Sequence, residues 1–197
     1  MFFNRRFVLA SSSNSRYKML KNVGLVFEKK NPKCNEDILK KKLLEEKKTP
    51  KKISLELARL KAKSISSFSK NKIVVGSDTV IELSNTLLNK AKDMKEAKKK
   101  IKKMSNKTHK IYSSASVFFN NKELWSSTGL TYVTIRKINE EEIEKYLKFV
   151  GKGALSAVGC YQLERGGPNI IKEIKGDYFN VLGFPLFPFL NFLYKQK

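Results

Sequence analysis

A serine-rich turn, a lysine on an apolar helix face and an aspartate behind a buried strand stand out as residues placed for chemistry on an anion. Ser11-Ser12-Ser13-Asn14-Ser15 follows the apolar run Phe7-Val8-Leu9-Ala10 and precedes Arg16, Met19, Leu20 and Val23 at helical spacing. This order predicts strand, turn, helix, and a helix start offers unpaired N–H groups and the positive end of a dipole to a phosphate. Helix capping is the commoner reason for serines at such a place. Lys61 lies near the middle of an apolar face, between Phe68 and Ile65. A buried ammonium costs free energy unless an anion compensates it, although a lysine can also carry its charge outward along its stem. Asp78 follows the apolar run Ile73-Val74-Val75-Gly76, where open α/β sheets carry their working groups, or where an aspartate simply makes a turn. The β-branched pair Val80-Ile81 beyond it is unusual for a turn.

These residues need elements to hold them. Ile53, Leu55, Leu57, Ala58, Leu60, Ala62, Ile65 and Phe68 form one broad stripe and predict a helix over 53–68. A helix is expected from about Glu36 to Glu46, with Ile38, Leu43 and Leu44 inward, followed by a solvated lysine loop over 47–52. Met94, Ala97, Ile101 and Met104 predict an amphipathic helix whose other side is almost all lysine; a solvated face is the ordinary reading of such a side. Strands are expected near 108–119 and 124–136, joined at Asn120-Asn121. Asn139 should cap a helix with Glu140, Glu141 and Glu142 in its first turn and Gly151 at its end. A Gly-rich loop with Glu164 covers 155–167, a strand lies near 169–175, and an apolar helix follows Gly183-Phe184-Pro185.

Composition bounds the partners. The chain has 197 residues, enough for one domain, 1–197, built as one body or two lobes. Its net charge of +23 attracts polyanions without choosing among them. The surplus is mostly Lys, whereas sequence-reading of DNA relies on Arg, so no specific nucleic acid is expected. Two cysteines far apart and one histidine, His109, exclude a disulfide framework and a His/Cys zinc site, and His109 reads as a satisfied structural residue. Met1 to Phe7 is not a secretory signal, and Val181 to Tyr194 is too short to span a bilayer and is interrupted by Pro185 and Pro188. A soluble cytoplasmic protein without a membrane partner is the expectation.

Six segments in order resemble the Maf family, the septum-formation-inhibitor-like proteins, over nearly the whole chain. Leu9-Ala10-Ser11-Ser12-Ser13-Asn14-Ser15-Arg16 resembles the family opening, and Leu57-Ala58-Arg59-Leu60-Lys61-Ala62 its Leu-Ala-x-x-Lys-Ala helix. Gly76-Ser77-Asp78-Thr79-Val80 is similar to its Gly-Ala/Ser-Asp-Thr-Val strand. Ser105-Asn106-Lys107-Thr108-His109 resembles its Ser-Gly-x-Thr-His turn, and Gly159-Cys160-Tyr161 with Glu164 its Gly-x-Tyr loop. Gly176-Asp177-Tyr178 through Val181-Leu182-Gly183-Phe184-Pro185-Leu186 is similar to the family ending. The chain departs from the pattern at Ser15, where many members have Arg, at Asn14 and Ala91, each in place of Pro, and at Asn106, in place of Gly.

The resemblance implies a fold: α/β, a long twisted mixed β-sheet flanked by helices with a central cleft, the Maf/inosine-triphosphatase-like fold. It also implies metal-dependent hydrolysis of a nucleoside triphosphate between its α and β phosphates, and homodimers are common in the family. By position, Arg16, Lys61, Asp78 and Lys90 match family catalytic residues, and Glu164 the family's late Glu or Gln; for water attack on the α-phosphorus, Asp78 is the general base expected, with Glu164 also counted among the catalytic residues. Ser11, Ser13, Arg16, Lys61 and Lys90 would bind substrate, and Glu36, Asp78 and Glu164 would hold Mg²⁺ or Mn²⁺. In this reading the missing partner of Lys61 is the substrate. Glu164 and Ser77 are similar to members acting on methylated GTP, and Thr79 to those acting on thymidine or uridine triphosphates. Two other readings stand beside this one: a nucleotide-binding relative of weak activity acting through a cell-division partner, and a basic nucleic-acid-binding protein.

Overall fold

A computed structural model describes residues 6–196. Met1 to Arg5, most of the stretch read as no secretory signal, lie outside the described residues. The strands are β1 (Phe7–Ala10), β2 (Phe27–Lys30), β3 (Ile73–Leu83), β4 (Thr86–Leu88), β5 (Thr108–Phe119), β6 (Lys122–Ile135) and β7 (Ile171–Lys175). The helices are α1 (Asn14–Asn22), α2 (Glu36–Glu45), α3 (Pro50–Ser66), α4 (Met94–Met104), α5 (Glu140–Val150), α6 (Gly153–Ser156), α7 (Tyr178–Val181) and α8 (Leu186–Tyr194). The fold is α/β, with a seven-stranded mixed sheet in the order β2-β1-β3-β5-β6-β7, β4 pairing with β3. Strand β1 runs parallel to β2 and β3, while β4 and β7 are antiparallel to β3 and β6.

The chain divides into two compact units. Of the described residues, the first comprises 6–79, Tyr112–Gly129 and 182–196. Its β1 is apolar throughout and buried throughout, as a parallel strand covered on both faces must be. Helix α3 begins at Pro50 in the first helical position, with Thr49 accepting the Lys52 N–H at 3.3 Å. The helix therefore takes in Pro50, Lys51 and Lys52, which composition alone assigns to a loop. Ser67 caps its end, so Phe68 falls beyond the stripe and is 87% exposed. On α2 only Leu43 is buried; Ile38 and Leu44, expected inward, face solvent. A Cβ on Gly76 would stand 2.3 Å from Ala58 O and 2.5 Å from Ala62 N, so only glycine lets α3 lie this close to β3. Helix α8 buries Leu186, Phe189, Phe192 and Leu193 and stacks Phe192 on Trp125. Pro188 does not interrupt it, because the N–H groups of a first turn have no intrahelical partner to lose.

The second unit comprises Val80–Ile111 and Leu130–Val181. Its α4 buries Ala97, Ile101 and Met104 as the spacing predicts. The lysine side is partly neutralised within the unit: Lys98 pairs with Glu144 at 2.5 Å and with Glu140 at 3.5 Å, and Lys102 also pairs with Glu140. The acidic first turn of α5, held by a reciprocal cap between Asn139 and Glu142, thus serves α4 as well as its own dipole.

His109 is 1% exposed, and its Nε2 lies 2.6 Å from the Tyr161 hydroxyl, but its Nδ1 has no hydrogen-bond partner among the described residues. The expected satisfied histidine is therefore only half satisfied. Burial lowers its pKa to about 4 from an ordinary 6.5. Between those values the unfolded chain takes up a proton that the folded chain refuses, so stability falls as pH drops from 6.5 toward 4. The loss should approach roughly 3 kcal/mol. Urea melts across this range are expected to show the slope in the wild type and a reduced slope in His109→Phe; identical slopes would remove His109 as the cause.

Candidate active site

The first unit gathers six of the eight candidate site residues: Ser11, Ser13, Arg16, Glu36, Lys61 and Asp78. Strand β3 does not stop before Asp78 but carries it mid-strand, continued by Thr79, Val80 and Ile81. A turn-forming role for Asp78 is thereby excluded, and strand alternation sets its neighbours apart from it. Ser77 and Thr79 both donate to the Gly183 carbonyl, at 3.1 and 3.3 Å. Asp78, between them in sequence, meets α3: its Oδ1 accepts from Lys61 Nζ at 2.7 Å.

Lys61 is 7% exposed, so its ammonium is held inside rather than carried out along the stem. Its partners are two acids of the chain itself, Asp78 at 2.7 Å and Glu36 at 2.8 Å. This corrects the expectation that only a substrate could compensate it. The helix stripe places the lysine, and the close approach of α3 at Gly76 brings it to Asp78. Glu36, in the first turn of α2 behind the Asn35 cap, supplies the second carboxylate.

Arg16 is also buried, at 8% exposure. Its Nε donates to Gly183 O at 2.7 Å, one terminal nitrogen to Ser11 Oγ at 3.3 Å and the other to Thr79 Oγ1 at 3.0 Å. Burial lowers the guanidinium pKa, and the charges of Asp78 and then Glu36 push it back up. An arginine so placed stays charged. Gly183 has φ +101, in the left-handed region, and a Cβ there would meet Thr79 Oγ1 at 3.1 Å. Ser11 is buried and accepts both from Arg16 and from the Ser13 N–H, while Ser13 caps α1 through the Arg16 N–H. Cys34 sits beside this group; burial, then the charge of Glu36, raise its thiol pKa, which suppresses the thiolate.

Lys90 and Glu164 belong to the second unit. Lys90 is exposed in the segment between β4 and α4, and Glu164 is exposed in the turn after Gln162. Among the described residues no group of three or more Asp, Glu, His or Cys could hold a metal ion. Two carboxylates sharing one ammonium are nonetheless the donor set that Mg²⁺ takes when substrate phosphates complete its shell. Residue type and spacing do not reveal that Thr79 and Gly183 hold Arg16, or that Ser77 bonds the same carbonyl. The glycine before Phe184-Pro185 is visible in the sequence, but its carbonyl and its partner 167 positions earlier are not.

Such a site, an acid flanked by hydroxyls on a buried strand with a lysine and an arginine drawn in beside it, defines an α/β protein equipped to handle an anion next to carboxylates. The family model described as Maf-like protein matches residues 6–196, and the chain belongs to the Maf family. It is 35% identical to a nucleoside triphosphate pyrophosphatase of Caulobacter vibrioides over 94% of this chain and 92% of the relative. It is 34% identical to 7-methyl-GTP pyrophosphatases of Bartonella quintana, over 93% and 91%, and Brucella suis, over 98% and 96%.

Proposed function

We infer that the chain is a nucleoside triphosphate pyrophosphatase, a hydrolase of the α–β phosphoanhydride. The names of its relatives support the reaction class, and one observation carries the site: Lys61 Nζ joined to both Asp78 and Glu36, with Arg16 buried in their field. Concentrated phosphate charge repels a nucleophile, so cations must draw it off before water can attack. Arg16 and Lys61 are the cations of the first unit for this role, and Lys90, of the second unit, matches a catalytic lysine of the family pattern. The Ser11–Ser13 turn offers the phosphates the start of α1.

Asp78 takes a proton from water as its oxygen bonds the α-phosphorus; the bridging oxygen to the β-phosphorus leaves with pyrophosphate. Glu36 and Asp78 would hold Mg²⁺ or Mn²⁺, with Glu164 contributing by its family match. Such an ion, when bound, neutralises phosphate oxygens and lowers the pKa of water. No helix among the described residues is long and apolar enough to cross a membrane, and the cytoplasm, where nucleoside triphosphates are made, is the proposed location.

The test is release of pyrophosphate from a panel holding 7-methyl-GTP, the common nucleoside triphosphates and their deoxy forms. Pyrophosphate should appear with Mg²⁺ or Mn²⁺ and cease with EDTA, and orthophosphate should appear only when inorganic pyrophosphatase is added. Direct release of orthophosphate, or no hydrolysis of any member, would reject the reading. The names of the relatives make 7-methyl-GTP the first substrate to try.

A further inference from the structure

The turn that opens α1 is braced from β2 by a lysine outside the active-site cluster. Ser11 N–H donates to Lys30 O at 3.0 Å, which joins the turn to the end of β2 through the backbone. Beside it, Lys29 Nζ donates to Ser12 O at 3.1 Å and to Asn14 Oδ1 at 3.0 Å. The same ammonium lies 5.7 Å from the Tyr17 ring centroid, and Tyr17 packs edge-on against Phe27, a residue of β2. One side chain therefore ties the turn, the first helical residue and the first turn of α1 to a strand.

Asn14 occupies the first helical position, where proline is favoured because its fixed φ suits a helix start. A proline there would also hold the preceding residue extended, and Ser13 has φ −65 and ψ 127. The Asn14 N–H makes no hydrogen bond among the described residues, so proline would cost none. This chain carries asparagine instead, and the asparagine side chain is what Lys29 grips.

We propose that Lys29 is a positioning residue for the phosphate-binding turn: its ammonium, tied to Ser12 O and Asn14 Oδ1, fixes the path of residues 11–14 that a proline at position 14 would fix covalently. The proposal rests on the reading of this turn as a phosphate site. Lys29 orders the donors of the turn and does not itself touch the substrate.

The experiment is a double-mutant cycle with Lys29→Met and Asn14→Pro, read by steady-state kinetics on the best triphosphate and by amide exchange across residues 11–16. Lys29→Met alone should raise KM about fivefold with little change in kcat, on the scale of one ordinary hydrogen bond, because both contacts are exposed to solvent. In the Asn14→Pro background the same substitution should change KM less than about twofold. Lys29→Arg, which can reach both oxygens, should keep the wild-type KM. An equal rise in KM in both backgrounds would show Lys29 acting on the substrate by contact or charge, and no rise in the wild type would show no role; either overturns the proposal. Amide exchange separates the two layers. If no triphosphate is hydrolysed, the enzymatic reading fails, yet faster exchange over residues 11–16 in Lys29→Met, suppressed by Asn14→Pro, still upholds the brace. Unchanged exchange rejects it whatever the kinetics.

Discussion

Replacing Asp78 with Asn is expected to lower kcat by about a thousandfold or more while triphosphate binding changes less than about tenfold. The substitution keeps shape and one hydrogen-bonding oxygen but removes the carboxylate proposed to accept the proton of water. Asp78 is 8% exposed and sits mid-strand, so its backbone does not depend on its charge. Turnover should be followed by pyrophosphate release and binding by titration of a non-hydrolysable triphosphate analogue. A mutant with turnover near the wild type would remove Asp78 from the proton transfer.

Lys61→Met should have the largest combined effect on affinity and stability. It strips the shared partner from two acids, one of them buried, and leaves Asp78 and Glu36 to repel each other. Breaking one side of such a buried pair costs about 3–5 kcal/mol. Adding Asp78→Asn removes the stranded charge, so Lys61→Met/Asp78→Asn should recover at least about half of that loss in urea melts. Triphosphate affinity should fall about a hundredfold, and affinity for the nucleoside much less. Equal losses for nucleoside and triphosphate would make Lys61 a structural residue alone, and a double mutant no more stable than Lys61→Met would deny the charge coupling.

Much of this arrangement is legible in the order of residues alone. The stripe of α3 places Lys61 inside, and strand pattern plus serines place the α1 turn, because both depend on local periodicity. What escapes depends on partners distant in sequence. Strand β2 reads as charged because Glu28, Lys29 and Lys30 lie on an edge strand, and its pairing with β1 supplies the order that its own residues do not show. Phe68 and Ile38 fit apolar stripes by spacing, yet one lies past a helix end and the other on a helix whose buried contact is only Leu43. The burial of Lys61 demands an anion, and the anions are Asp78 and Glu36, which no local pattern joins to it. Gly183 escapes for the same reason, since a carbonyl that holds an arginine leaves no trace in residue type beyond the glycine its φ requires.

The sharpest test of hydrolysis at this site is the destination of solvent oxygen when a substrate is turned over in ¹⁸O-labelled water. With Asp78 activating water against the α-phosphorus, the label should enter the nucleoside monophosphate and leave pyrophosphate unlabelled. Label in the pyrophosphate would place the attack on the β-phosphorus and contradict the account.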